Sequence, residues 1–141
     1  MKLSWFGVIA ALFLLVAPAV AQQGDPAELE WQAVITGQVE AFRHHDAPAA
    51  LSFAAASFHD TFPDPEQFFQ AISAWGYGPI MESRSHSFGR YQLLQPEMVL
   101  QAVTFVGPDQ GLYEAVYQLS RETAGWRING VQLLKTPGVG V

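Results

Sequence analysis

The sequence predicts an α+β domain, with three N-terminal helices packed on a curved four-stranded antiparallel sheet. Two observations carry this reading. Apolar residues recur at helical spacing up to about Trp75 and then alternate from about Ser85 to Lys135. Short turn signals divide that second region, and no connection in it is long enough for a crossover. Helices first and sheet afterwards is the α+β order.

The helical half has three start signals. Asp25-Pro26-Ala27-Glu28 places an acid, a proline and a glutamate where a first helix opens. Trp31, Val34, Ile35, Gln38, Val39 and Phe42 then share one face. Asp46 caps a second, short helix with Leu51, Ala54, Ala55 and Phe58 on one side. Asp64-Pro65-Glu66 opens a third, whose buried side is Phe68, Phe69, Ile72 and Trp75. Gly76 ends it, and Tyr77-Gly78-Pro79 reads as a turn. Four strands follow, divided near Gln95-Pro96, Gly107 to Gly111 and Glu122 to Gly125.

The ends suggest export. Lys2, the apolar run Leu3–Val16 and Ala19-Val20-Ala21 are the three parts of a cleavable signal peptide over residues 1–21. The apolar run is shorter than the roughly 20 residues a membrane span needs. The expected organisation is a signal peptide, one domain over residues 22–135, and a loose tail over 136–141. The expected location is the periplasm or the medium, with no membrane span after cleavage. With no cysteine, the domain must be held by its core rather than by disulfides. Removing Lys2 from the seven basic residues leaves six against 13 acidic ones, and no basic run exists. Nucleic acid is therefore not an expected partner, because phosphate neutralisation supplies most of such binding.

Certain residues resemble a known family. Ile35 to Phe42, Tyr113 to Arg121 with Tyr117, and Trp126-Arg127-Ile128 with Gly130 are similar to the bacterial domain-of-unknown-function family 4864. Gly125 to Ile128, opening the last strand after a hairpin, resembles the end of nuclear-transport-factor-2-like domains. The resemblance implies a conical α+β barrel with an interior cavity and an exported role. The larger superfamily holds isomerases, dehydratases and binding domains, so fold alone does not fix function.

Loop lengths set an expected register. A four-residue loop at 122–125 pairs Arg121 with Trp126, Leu119 with Ile128, Tyr117 with Gly130, Ala115 with Gln132 and Tyr113 with Leu134. A five-residue loop at 107–111 pairs Val106 with Leu112, Phe105 with Tyr113, Gln101 with Tyr117 and Val99 with Leu119. The aromatic face then looks toward the helices and carries Gln101, Tyr113, Tyr117 and Gln132, which Gln38 of the first helix meets. These five are the candidate binding residues, all uncharged hydrogen-bonding groups. Glu114 points to solvent.

Acid–base catalysis needs a titratable group aimed at a substrate. This register puts none on the inner face from Val99 to Leu134, leaving His86 and Asp60 as fallback catalytic candidates, with His59 and His45 behind them. Four histidines without helical His-x-x-x-His spacing and without cysteine indicate no metal site, and no cofactor motif occurs. The leading expectation is a domain that binds a small molecule or a protein through an uncharged, aromatic-lined pocket. The alternatives are an isomerase- or dehydratase-type enzyme and a scaffold that forms homodimers through its sheet. For the scaffold, Leu100, Ala102 and Val116 supply an outer apolar patch.

Overall fold

Helix α1 (Glu30–Arg43) forms where the Trp31 to Phe42 stripe gives one face to bury. A computed structural model describes residues 28–134. The predicted leader, the Asp25 start and the tail lie outside them. The helix begins at Glu30 rather than before Glu28, and the Leu29 N–H donates to Gln32 Oε1 at 3.1 Å.

Helix α2 (Ala47–Ser52) is capped by Asp46, whose Oδ1 accepts from the Ala49 N–H at 3.2 Å. It is shorter than the predicted face, because the chain leaves it to dock on the last strand. Ile128 donates its N–H to Phe53 O at 2.9 Å, and Ala55 donates to Ile128 O at 2.8 Å. Those bonds break the expected Leu51–Phe58 helix, and Phe58 falls in a separate helix α3 (Ala56–Thr61). Helix α4 (Pro65–Ala74) starts under Asp64 as its sequence predicts. Gly76, at φ +96°, follows it in the left-handed region that glycine enters without strain. The predicted turn at Tyr77–Pro79 is instead the entry to a one-turn helix, α5 (Gly78–Met81).

Strands β1 (Ser85–Gln95), β2 (Met98–Val106), β3 (Leu112–Glu122) and β4 (Gly125–Leu134) form an open antiparallel meander in sequence order. The β2–β3 register is the one loop length dictates, including Phe105 with Tyr113 and Gln101 with Tyr117. The β3–β4 register holds through Leu119 and Ile128, then shifts. Gln118 pairs with Gly130, so Asn129 is an extra residue, a β-bulge. Asn129 Nδ2 donates to Ser120 Oγ at 2.7 Å. Beyond the bulge Tyr117 faces Val131 rather than Gly130, and Ala115 faces Leu133 rather than Gln132. Leu134 pairs with Glu114 rather than with Tyr113. Gln132 therefore lies with Val116 on the outer face and is exposed, which corrects its predicted inward position.

Two apolar clusters hold the layers together. One joins Trp31, Ile35 and Val39 to the inner sheet residues Val99, Val103, Phe105, Tyr117, Leu119 and Ile128. The other joins Phe42, Leu51 and Ala54 to Phe68 and Met81. Tyr117 belongs to the first and is 1% exposed, whereas Glu114 is exposed.

Tyr117→Ala is expected to lower unfolding free energy by about 3–5 kcal/mol, the cost of deleting a large buried aromatic. Glu114→Gln is expected to change it by less than about 0.5 kcal/mol, as exposed substitutions do. Urea denaturation of the two variants checks both, and comparable losses would contradict this register.

Candidate functional site

Where the two clusters meet, they do not fill the space between them. A cavity of about 190 Å³ remains, floored by Tyr117, Ile128 and Val131 of the sheet and roofed by Gln38 and Phe42 of α1. Phe58, Phe68, Ile72 and Trp75 close the far wall. Phe68 organises that wall: its ring lies 6.2 Å from Phe42, 6.0 Å from Phe58 and 5.7 Å from Phe62. Trp75, predicted to be buried, is 60% exposed and lies edge-on to Phe62 at 6.2 Å, at the cavity mouth.

No charged side chain lines this cavity; its side-chain polar groups belong to Gln38, Tyr77 and Tyr117, with the Trp75 indole N–H at the mouth. Gln38 is 4% exposed, and its Nε2 donates to Ala50 O at 2.9 Å. Because a carbonyl can only accept, that bond fixes the amide orientation and leaves Oε1 as an acceptor. The Tyr77 hydroxyl donates to Val131 O at 2.8 Å, tying the segment after α4 to the bulged half of β4. Among the described residues, neither Gln38 Oε1 nor Tyr117 Oη makes a hydrogen bond, and neither is sealed away from open space. Burial, with Tyr77 nearby, pushes the Tyr117 phenol well above its usual pKa. It is held neutral, as a hydrogen-bonding group rather than a base.

The five predicted binding residues thus separate. Gln38 and Tyr117 meet in the cavity. Gln101 is fully buried elsewhere: its Oε1 accepts from Trp31 Nε1 at 2.8 Å and Gln32 Nε2 at 3.1 Å. Its Nε2 donates to Gly89 O at 3.0 Å and Ala102 O at 2.8 Å, satisfying carbonyls beside the β1 irregularity between Phe88 and Tyr91. That is a structural duty, since an unpaired buried carbonyl costs about 1–3 kcal/mol. Tyr113 and Gln132 border a neighbouring groove that shares Trp75, Tyr77 and Val131 with the cavity. Tyr113 donates to Asp109 Oδ2 at 2.8 Å, and Asp109 Oδ1 accepts from the Gly111 N–H at 2.9 Å, which staples the β2–β3 loop. A Cβ on Gly107 would lie 2.7 Å from the Tyr113 ring, so the staple requires glycine there.

The sequence did not single out Tyr77, Ile72 or Val131. Gly130 was the available signal, because an isolated glycine inside a strand often marks a bulge.

The fallback catalytic candidates stand apart from the cavity. Asp60 and His59 are exposed on α3, and His45 is exposed between α1 and α2. His86 is half-buried against Phe88 and Phe105, and both its ring nitrogens are engaged. Arg43 Nη2 lies 3.2 Å from Nδ1 and can only donate, so Nδ1 accepts and Nε2 carries the proton. Nε2 then donates to Thr36 Oγ1 at 3.1 Å, and Thr36 donates to Glu28 Oε2 at 2.9 Å. Burial, then the Arg43 charge, lowers the His86 pKa against the opposing pull of Glu28 and Glu40. Among the described residues, no three His, Cys, Asp or Glu side chains gather as a metal site would require.

The His86 arrangement sets a pH dependence. Folding keeps His86 neutral below its ordinary value of 6.5, so the unfolded chain binds more protons. The stability this contributes is full above about pH 6.5 and is lost as pH falls through the folded pKa. Urea midpoints measured from about pH 7.5 to 5.5 should fall more steeply for the wild type than for His86→Gln. Parallel slopes would contradict the assignment.

Comparison with known proteins adds the following. No curated protein matches the chain. Among solved structures it is similar to a protein from Novosphingobium aromaticivorans provisionally described as an aromatic ring hydroxylase, at 11% identity and a TM-score of 0.46. That match covers 77% of this chain and 90% of the other, a likeness too slight to carry an argument. A family model described as domain of unknown function DUF4864 matches residues 24–141, and the chain belongs to that family.

Proposed function

We propose that this chain is an exported binding domain that holds one small uncharged molecule in the cavity between α1, α4 and the sheet, without catalysing a reaction on it. The cavity lining carries the reading: aromatic and aliphatic walls, a few neutral polar atoms, and no carboxylate, imidazole, lysine or arginine. Such a composition favours an apolar guest oriented by a few polar contacts. An acid–base enzyme would need a titratable group there, and the one phenol facing the guest on the sheet floor is held protonated. His86 is committed to Arg43 and Thr36, and Asp60 lies on an exposed helix. Export rests on the Lys2, Leu3–Val16 and Ala19-Val20-Ala21 series.

Native mass spectrometry of protein recovered from the exported fraction tests both halves. The expected species is a chain beginning at Gln22 that carries a small-molecule adduct, lost in Ile72→Trp, whose added ring fills the cavity. A full-length chain retained with the membranes would overturn export. An adduct that persists unchanged in Ile72→Trp would overturn the cavity as its site.

A further inference from the structure

The polar edge of the cavity leaves both an acceptor and a donor open, and that pairing specifies its guest. Gln38 spends one amide hydrogen on Ala50 O and keeps the other, with Oε1 an acceptor that has no partner among the described residues. Tyr77 spends its only hydroxyl hydrogen on Val131 O, leaving lone pairs. Tyr117 Oη keeps one hydrogen and two lone pairs, with no partner among the described residues. The edge therefore offers acceptors, Gln38 Oε1 and the two phenol oxygens, beside donors, the Tyr117 hydroxyl, the second Gln38 amide hydrogen and the Trp75 indole N–H. A guest that brings only acceptors, such as a ketone or an ester, satisfies Tyr117 and leaves Gln38 Oε1 without a donor. A guest with a hydroxyl gives its hydrogen to Gln38 Oε1 and receives that of Tyr117.

Charge and size narrow the class further. A carboxylate would meet no cation and an ammonium no counter-ion, each losing its water at a severe desolvation cost. As to size, a dry engineered cavity of about 150 Å³ lined by Leu, Ile and Phe binds benzene. A cavity of about 190 Å³ walled by Phe42, Phe58, Phe68 and Trp75 has room for one ring with a substituent. Flat aromatic walls favour a flat ring through edge and offset contacts.

We infer that the cavity takes an uncharged single-ring aromatic molecule bearing a hydroxyl, with that hydroxyl seated between Gln38 Oε1 and Tyr117 Oη. This inference rests on the cavity being the binding site.

Four probes separate the two claims: p-cresol, toluene, benzoate and benzylamine, each titrated while the Trp75 indole and Ile72 methyl NMR signals are followed. The expected result is p-cresol bound about tenfold more tightly than toluene, the worth of one well-made hydrogen bond. Benzoate and benzylamine should bind more weakly than toluene. Tyr117→Phe should weaken p-cresol about tenfold and leave toluene unchanged, because it removes the hydroxyl and keeps the ring. If that variant does not fold, the four wild-type affinities decide alone. Toluene binding as tightly as p-cresol would overturn the hydroxyl assignment and leave the cavity reading intact. Tighter binding of benzoate or benzylamine would overturn neutrality. No response to any probe would overturn both readings.

Discussion

The site depends on one extra residue in a strand. Side chains of a strand alternate between faces, so an insertion of one reverses every position after it. Asn129 is that insertion. Before it, β4 sends Trp126 and Ile128 inward; after it, Val131 and Leu133 take that side, where both pack on the core. Without the bulge, Gln132 would face α1 and a second amide would enter the interior. With it, the sheet floor beyond Ile128 is apolar, and the Val131 carbonyl becomes the anchor for Tyr77. That anchor positions the segment leading into α5. The bulge therefore settles both what the cavity floor is made of and where part of its wall stands.

The cavity itself follows from having two cores rather than one. The α1–sheet cluster is tightly filled, with Ile35, Val39, Val99 and Leu119 wholly buried. The aromatic cluster gathers around Phe68 instead and packs mainly helix on helix. Helix α1 serves both, presenting Ile35 and Val39 to one and Ala41 and Phe42 to the other, with Gln38 at the junction. Bulky rings joining across that junction leave space that small aliphatic side chains would have filled. Interiors ordinarily pack as densely as organic crystals, so a space of this size between two apolar clusters, open at Trp75, stands out.

The elements were legible wherever local chemistry decides them. Asp46 and Asp64 cap the helices they were expected to cap, and the three turn signals bound the four strands. The β2–β3 register followed from loop length because no bulge interrupts it, and Tyr117 was placed correctly by that hairpin alone. Two misplacements come from contacts with another element. The chain leaves the predicted second helix where Phe53 O and the Ala55 N–H bond to Ile128. Gln132 changed face because Asn129 found Ser120. Of the candidate residues, Gln38 was read from helical periodicity and Tyr117 from loop length. The shared duty of Gln101 with Trp31 and Gly89 was not legible, because only the folded chain brings those groups together.

The central claim is that a neutral cavity stands between Gln38 and Tyr117 beneath the bulged half of β4. Diffraction from a crystal pressurised with xenon tests it most directly, since xenon enters apolar cavities without needing a hydrogen bond. The account predicts a xenon atom among Phe42, Phe68, Ile72 and Tyr117, with Val131 facing it and Gln132 on the outer surface. Side chains filling that space, with Gln132 turned inward on an unbulged β4, would contradict it.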